Sequence, residues 1–326
     1  MYAKWLGPLL ATCLLLAAAR APAADRATIR IGTHVSIAAH LLMQKKPELL
    51  RHLGKSYDVE WIRFAGSGDA APALVAGKLD ACLATPFPLA NALFQSHVPV
   101  TVVHQLLSLG FDGHYDDASV VRSDSTIARF ADLKGKIFGV NAIGSTVEQS
   151  ARIMARKSGL DPDRDLTIVE GRPPFLPEMV RQNQVQAATL FQPFFQQAME
   201  KGGLKVLFTV SDVYGGPTDF VFLMVDDRFL KANAPVVRDY IDDYLTAVNW
   251  MLDHRDEAVK MYAEQWKMPV EVAGSYLLTT NDYLVRRDGR LSAERVQPVV
   301  DALAANHFIS QSFDVGKYID LGYLPR

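Results

Sequence analysis

Cysteine is almost absent from this chain: Cys13 and Cys82 are the only two in 326 residues. That count builds no disulfide framework and no paired-cysteine metal box. The G-x-S-x-G nucleophile elbow and the phosphate-cradling P-loop are missing as well. Eight histidines are scattered (His34, His40, His52, His97, His104, His114, His254, His307), none of them in an H-E-x-x-H pair. His34 and His40 are six residues apart and do not share a helical face. No metal site, no cofactor and no catalytic constellation are expected. Charge of one sign is scarce too. With 34 basic and 36 acidic residues the formal net charge is −2, which excludes the clustered basic footprint of a nucleic-acid binder. Long apolar runs are confined to the N-terminus.

That N-terminus reads as an export signal. Lys4 precedes an apolar run from Leu6 to Ala19, followed by Arg20-Ala21-Pro22-Ala23-Ala24-Asp25. A basic start, a short apolar stretch and a small-x-small site predict a secretory signal over 1–23, cut after Ala23 or Ala24. The run is shorter than the ~20 residues a bilayer span needs. Leu10-Ala11-Thr12-Cys13 resembles a lipoprotein box, but most of the apolar core follows it, so no lipidation is expected. Without Lys4 and Arg20, 32 basic residues face 36 acidic ones, a net charge of −4. Cys82 is then alone. Its small apolar neighbours predict a buried structural thiol, since a nucleophile needs an activating base beside it.

What is present is alternation of strand and helix, the pattern of an α/β fold with a largely parallel sheet. Strands are expected at 28–32, 58–64 and 81–84, and helices at 40–53 and 70–76, the latter stopped by Gly77. The pattern restarts with a strand at 136–140 and a helix from 145 to 158. Ser145 and Glu148 have capping-box spacing there. Strands at 166–170 and 187–190 and helices at 175–182 and 193–201 follow. Val75 to Cys82 and Arg181 to Ala188 echo each other, each a helix end, a polar turn and a small-residue strand. Each strand meets a Pro/Phe elbow, Pro86-Phe87-Pro88 or Gln192-Pro193-Phe194. Two similar lobes are the reading of this weak repeat, and single cores stop growing at roughly 250–300 residues. From Pro235 to Ala305 the chain is mostly helical. Val237, Tyr240, Ile241, Tyr244, Leu245, Val248 and Leu252 recur there at packing spacing.

In open α/β sheets ligands bind at strand C-termini and helix N-termini, where free N–H groups favour anions. Gly144-Ser145-Thr146 is the foremost candidate: backbone donors and two hydroxyls at a helix start. Simple capping by Ser145 is the alternative. The turns at Thr33 to Ser36, Gly66 to Asp69 and Thr85 to Phe87 supply a facing wall. Phe87, Phe175, Phe191, Phe194 and Tyr214 lie near these turns as stacking candidates.

At these residues the chain resembles the periplasmic solute-binding proteins of nitrate/sulfonate/taurine/pyrimidine-precursor type ABC importers. The matching segments are Ile29 to Gly32, Ala73 to Asp80, Asp132 to Lys136 with Gly139-Val140, Phe191 to Phe194, and Gly216 to Thr218. The resemblance implies the type II two-lobed periplasmic-binding-protein fold. Lobe one would be 25–120 plus 222–326 and lobe two 121–221, joined by crossover strands at 118–122 and 220–225. It implies ligand contacts from His34, Ser36, Ser67, Asp69, Phe87, Gly144, Ser145, Thr146, Phe191, Gln192 and Asp219. Asp69 and Asp219 are candidates for a ligand amine, or equally for a helix cap and a hinge bond. The implied function is capture of a small anionic organic solute, aromatic or amine-bearing ones included. An exported, periplasmic monomer would deliver it to an inner-membrane permease and ATPase. Two alternatives are a desulfinase-like or pyrimidine-precursor-synthase-like enzyme on this fold, using Cys82, and a ligand-sensing subunit.

Overall fold

The computed structural model describes residues 26–325. The export segment, its cleavage site and Cys13 lie outside them. Among the described residues no helix is long and apolar enough to cross a membrane. The chain runs β1 (Ala27–Thr33), α1 (Ala38–Lys45), β2 (Tyr57–Arg63), α2 (Ser67–Val75), β3 (Ala81–Ala84), α3 (Pro86–Ala90) and β4 (Val100–Leu109). It continues β5 (Ala118–Arg122), β6 (Lys136–Val140), α4 (Thr146–Lys157), β7 (Leu166–Glu170), α5 (Leu176–Arg181), β8 (Ala187–Leu190), α6 (Phe194–Lys201), β9 (Leu204–Thr209) and α7 (Val210–Tyr214). β10 (Thr218–Asp226) precedes α8 (Asp227–Ala232), α9 (Ala234–Asp253), α10 (Arg255–Trp266), α11 (Val270–Tyr276) and α12 (Ala293–Ala305).

Two five-stranded sheets result, ordered β2-β1-β3-β10-β4 and β7-β6-β8-β5-β9. Each has four strands running the same way and one antiparallel strand received from the other half of the chain: β10 in the first, β5 in the second. β3 and β8 hold equivalent places, which gives the echoed sequence segments their structural meaning. Both are buried throughout. A short strand flanked on both sides has room only for small and apolar side chains, hence Ala-Cys-Leu-Ala and Ala-Ala-Thr-Leu. The chain crosses between the sheets at 110–117 and at 215–217. β5 pairs wholly within the second sheet and β10 wholly within the first. The expected boundaries at 120/121 and 221/222 therefore fall inside strands.

Local chemistry explains where the elements depart from expectation. The helix expected over 40–53 ends at Lys45, because Pro47 cannot donate and disfavours a helical Lys46, whose φ is −130°. One 3-10 turn, Pro47–Leu49, replaces the rest. The helix expected at 70–76 starts three residues earlier, directly after Gly66. Gly77, with φ of +70°, does stop it. The helical C-terminal part covers the first sheet. Asp243 of α9 holds the turn after that 3-10 segment: its carboxylate accepts from the N–H groups of Arg51, His52 and Leu53 and from the Tyr57 hydroxyl. His40 is buried beneath, bonded to Thr33 Oγ1 at 2.6 Å and Tyr240 Oη at 2.7 Å. Burial drives its pKa down to about 3, so this ring is a neutral packing element.

Candidate functional site

The C-terminal ends of β1, β3 and β6 face one another across the two lobes. The turns after them enclose a cavity of about 50 Å³, lined by His34, Ser36, Ser67, Thr85, Asp117, Asn141, Ser145, Phe191 and Tyr283, with Leu83, Leu107, Val147 and Phe220 as apolar wall.

On the first lobe, His34 is 8% exposed. Its Nδ1 accepts from the Ser36 N–H at 3.2 Å and lies 2.7 Å from Ser36 Oγ. An accepting Nδ1 puts the ring proton on Nε2, which is buried and makes no well-formed hydrogen bond, interacting only weakly with the Ala65 backbone. Burial, and then the charge of Arg63, push the pKa down to about 3, so the ring stays a neutral donor. Phe191 of the second lobe meets this ring edge-on at 4.7 Å. A hydroxyl chain crosses beside it. Phe87 N–H donates to Thr146 Oγ1 at 2.9 Å, Thr146 donates to Thr85 at 2.8 Å, and Thr85 lies 2.9 Å from Ser67 Oγ. Each hydroxyl has one proton, so Thr85 can pass its own to Ser67 and leave the Ser67 proton aimed at the cavity.

On the second lobe the Gly144-Ser145-Thr146 turn is built differently from the expectation. Gly144 N–H is already taken by the Glu148 carboxylate at 2.7 Å, and Ile143 N–H by Glu170 at 2.9 Å. Ser145 caps α4 by accepting from Glu148 N–H at 3.2 Å. The reciprocal bond of a capping box is displaced by one residue, onto Gly144. Gly144 faces an outer groove with Gly68 and Pro88 instead of the cavity. What the turn does offer are the N–H groups of Ser145, Thr146 and Val147, for which no acceptor is found. They form the first turn of a helix, where the dipole adds positive potential.

Of the residues expected at the site, His34, Ser36, Ser67, Ser145 and Phe191 share this lining. Thr146, Phe87 and Gln192 do not; they tie the lobes together. Gln192 Nε2 donates to the Asn281 carbonyl at 2.8 Å, and its N–H donates to Tyr283 Oη at 3.2 Å. Asn141 Nδ2 adds a bond to the Ala65 carbonyl at 2.9 Å. Asp69 sits outside the lining; burial, and then Glu170, raise its pKa. Asp219 is 1% exposed and fully engaged, accepting from Ser108 Oγ, Ser292 N–H and Arg286. It is a structural hub under the hinge. Of the aromatic candidates only Phe191 reaches the cavity. Tyr214 is bonded to Ser150 and Phe175 is largely exposed.

Thr85, expected in the facing wall, lies in the lining; sequence reasoning missed Asn141, Asp117, Phe220 and Tyr283. Asn141 directly follows strand β6, so the strand-terminus rule could have found it. Tyr283 lies in an aperiodic stretch and carries no local signal. Cys82 is completely buried in β3 and burial raises its pKa far above the ordinary thiol range. His52, Asp242 and Asp243 cluster closely enough to suggest a metal site. Asp243, however, spends both oxygens on the backbone bonds described above.

The family model described as NMT1-like matches residues 23–265. The chain belongs to the NMT1-like family. A relative in Bacillus subtilis (strain 168), assigned by name to aliphatic sulfonate binding, is 25% identical over 303 residues, 91% of this chain and 87% of its own. Solved structures share the fold. The alkanesulfonate-binding protein SsuA from Xanthomonas axonopodis pv. citri, bound to MOPS, matches with a TM-score of 0.74 at 21% identity, covering 91% of this chain and 99% of that one. The periplasmic nitrate-binding protein NrtA from Synechocystis PCC 6803 matches with a TM-score of 0.70 at 14% identity, covering 92% and 87%. The resemblance to nitrate/sulfonate-type solute-binding proteins, and the two-lobed fold it implied, are thereby borne out.

Proposed function

We propose that this chain is the solute-capturing component of an ABC importer, an exported periplasmic clamp that closes on a small anionic organic molecule and hands it to a membrane permease. The lobes are 26–117 with 218–325, and 118–217, hinged at the two crossings. The observation that carries this reading is the convergence of unpartnered donors on one interlobe cavity: His34 Nε2–H, the Ser67 hydroxyl and the N–H groups at the start of α4. Buried donors without partners are costly, and an anionic head satisfies all of them at once. The anion subsite thus moves from Gly144 to Ser145–Val147. Relatives named for sulfonate and nitrate binding support the same class of head group. A nucleophilic role for Cys82 is opposed by its burial and its raised pKa.

Thermal shift against aliphatic sulfonates, nitrate and carboxylates tests this, with native mass spectrometry of the purified protein to identify a retained solute. A saturable rise in melting temperature by one of these anions is expected. Absence of any shift, together with turnover that Cys82→Ser abolishes while the fold persists, would reject it.

A further inference from the structure

The described residues include seven buried carboxylates: Asp80, Asp117, Glu148, Asp219, Asp226, Asp243 and Asp282. Six of them have either an arginine or at least two backbone N–H groups as partners. Asp80, Glu148, Asp219 and Asp226 each pair with an arginine: Arg30, Arg152, Arg286 and Arg228. Asp243 takes three backbone N–H groups, and Asp282 takes those of Leu278 and Tyr283. Asp117 differs. Its side chain has one partner, the neutral Tyr283 hydroxyl, 2.6 Å from Oδ1. No lysine, arginine or histidine among the described residues pairs with it, and the charge that acts on it is the like charge of Asp116. Burial raises its pKa to about 7, as it does that of Asp282; what separates Asp117 is that it has no backbone donors and lines the cavity.

Its place in the fold supplies the meaning. Asp117 is 7% exposed, sits at the end of the first crossing and lines the same cavity as the unpartnered donors. The cavity is therefore polarised, with N–H and O–H donors on one side and an uncompensated carboxylate on another. Tyr283 fixes the Asp117 carboxylate and itself receives the Gln192 N–H of the second lobe. The group thus sits where lobe closure would clamp a ligand's far end.

We infer that Asp117 is a cation subsite, and that the captured solute is a small zwitterion whose protonated amine pairs with Asp117 while its anionic head meets His34, Ser67 and the start of α4. This rests on the capture reading above and names the ligand class. It also separates this chain from a receptor for simple alkanesulfonates or nitrate, neither of which has a charge to offer Asp117.

The test is isothermal titration with matched pairs that differ only in the amine: taurine against ethanesulfonate, and β-alanine against propionate. Each pair is run on the wild type, on Asp117→Asn and on Tyr283→Phe. At about pH 8 both the amine and the carboxylate are charged. The wild type is expected to bind the aminated member of at least one pair about tenfold or more tightly than its partner. Asp117→Asn, nearly isosteric, should bring that ratio to about one; Tyr283→Phe, which keeps the carboxyl group but removes a bond that favours its ionised form, should lower the ratio without abolishing it. A wild type that treats both members alike, or a ratio that survives in Asp117→Asn, overturns the subsite and leaves anion capture standing. Binding of neither member of either pair overturns both readings. If Asp117→Asn fails to fold, the wild-type ratio alone decides.

Discussion

Gly68 offers the sharpest handle on whether function requires the lobes to meet. It lies in the first turn of α2, a helical residue with no conformational need for glycine. Its need is steric and crosses the lobe boundary. A Cβ there would stand 2.3 Å from the Ile143 carbonyl oxygen, 3.0 Å from Ser145 N and 3.1 Å from the Gly144 carbonyl carbon. A carbon–oxygen contact wants about 3.3 Å, so Gly68→Ala must hold the turn before α4 about 1 Å further away. The obstacle is backbone, which cannot swing aside. Overpacking of this kind costs about 1–3 kcal/mol. The cost falls on the closed arrangement alone, because in a separated lobe the alanine is solvated. Within α2 alanine stabilises by about 0.5–1 kcal/mol relative to glycine. Gly68→Ala should therefore keep or raise the melting temperature of the ligand-free protein while weakening solute binding about 5- to 150-fold. Titration calorimetry with an identified solute, beside a thermal melt, measures both. An unchanged dissociation constant would refute the argument, because closure would then not be coupled to binding at this contact.

Two further outcomes follow from the buried charges. Asp219→Ala strands Arg286 and the Ser292 N–H, and should cost about 3–5 kcal/mol in denaturant unfolding, as expected for a broken buried pair; a loss below about 1 kcal/mol would contradict the hub assignment. Acid should destabilise the fold before any surface carboxylate titrates. His34 and His40 are held down to about 3 and His104 to about 4, against 6.5, so the unfolded chain takes up three protons between about pH 6.5 and 4 that the folded chain refuses. Asp117 and Asp282, raised to about 7 from 3.8, act in the opposite direction over the same range, the folded chain keeping two protons the unfolded one releases. Asp69 and Asp116 are raised in the same direction, so the net uptake is at most one proton and stability falls by at most about 1.4 kcal/mol per unit of falling pH. Unfolding free energies that rise on acidification from pH 6 to about 4.5 would show that the histidines are not held neutral.

Much of the fold is decided locally and was legible. Short apolar runs punctuated by Gly and Pro located β3, β6 and β8 at their observed bounds. The Ser145 cap, the stop at Gly77 and the pseudo-repeat of β3 and β8 also follow from neighbours in sequence. Cys82, expected to be buried from its small apolar strand neighbours, is buried. These are short-range facts, governed by backbone sterics and by which side chains fit between two strands.

The site divides along the same line. Turns at strand ends could be named as candidates because topology sends them to one edge of the sheet. Which of their atoms are free could not, since a donor is free only when no distant residue consumes it. Glu148 and Glu170 take the Gly144 and Ile143 N–H groups, and Arg286, from the far end of the chain, takes Asp219. Asp117 is the converse case, a buried carboxylate to which no described residue brings a cation. The sequence by itself determined an α/β scaffold with donor-rich turns. Only the tertiary structure decided which charges remain unanswered, because charge compensation in a buried cleft is a long-range property of the whole fold.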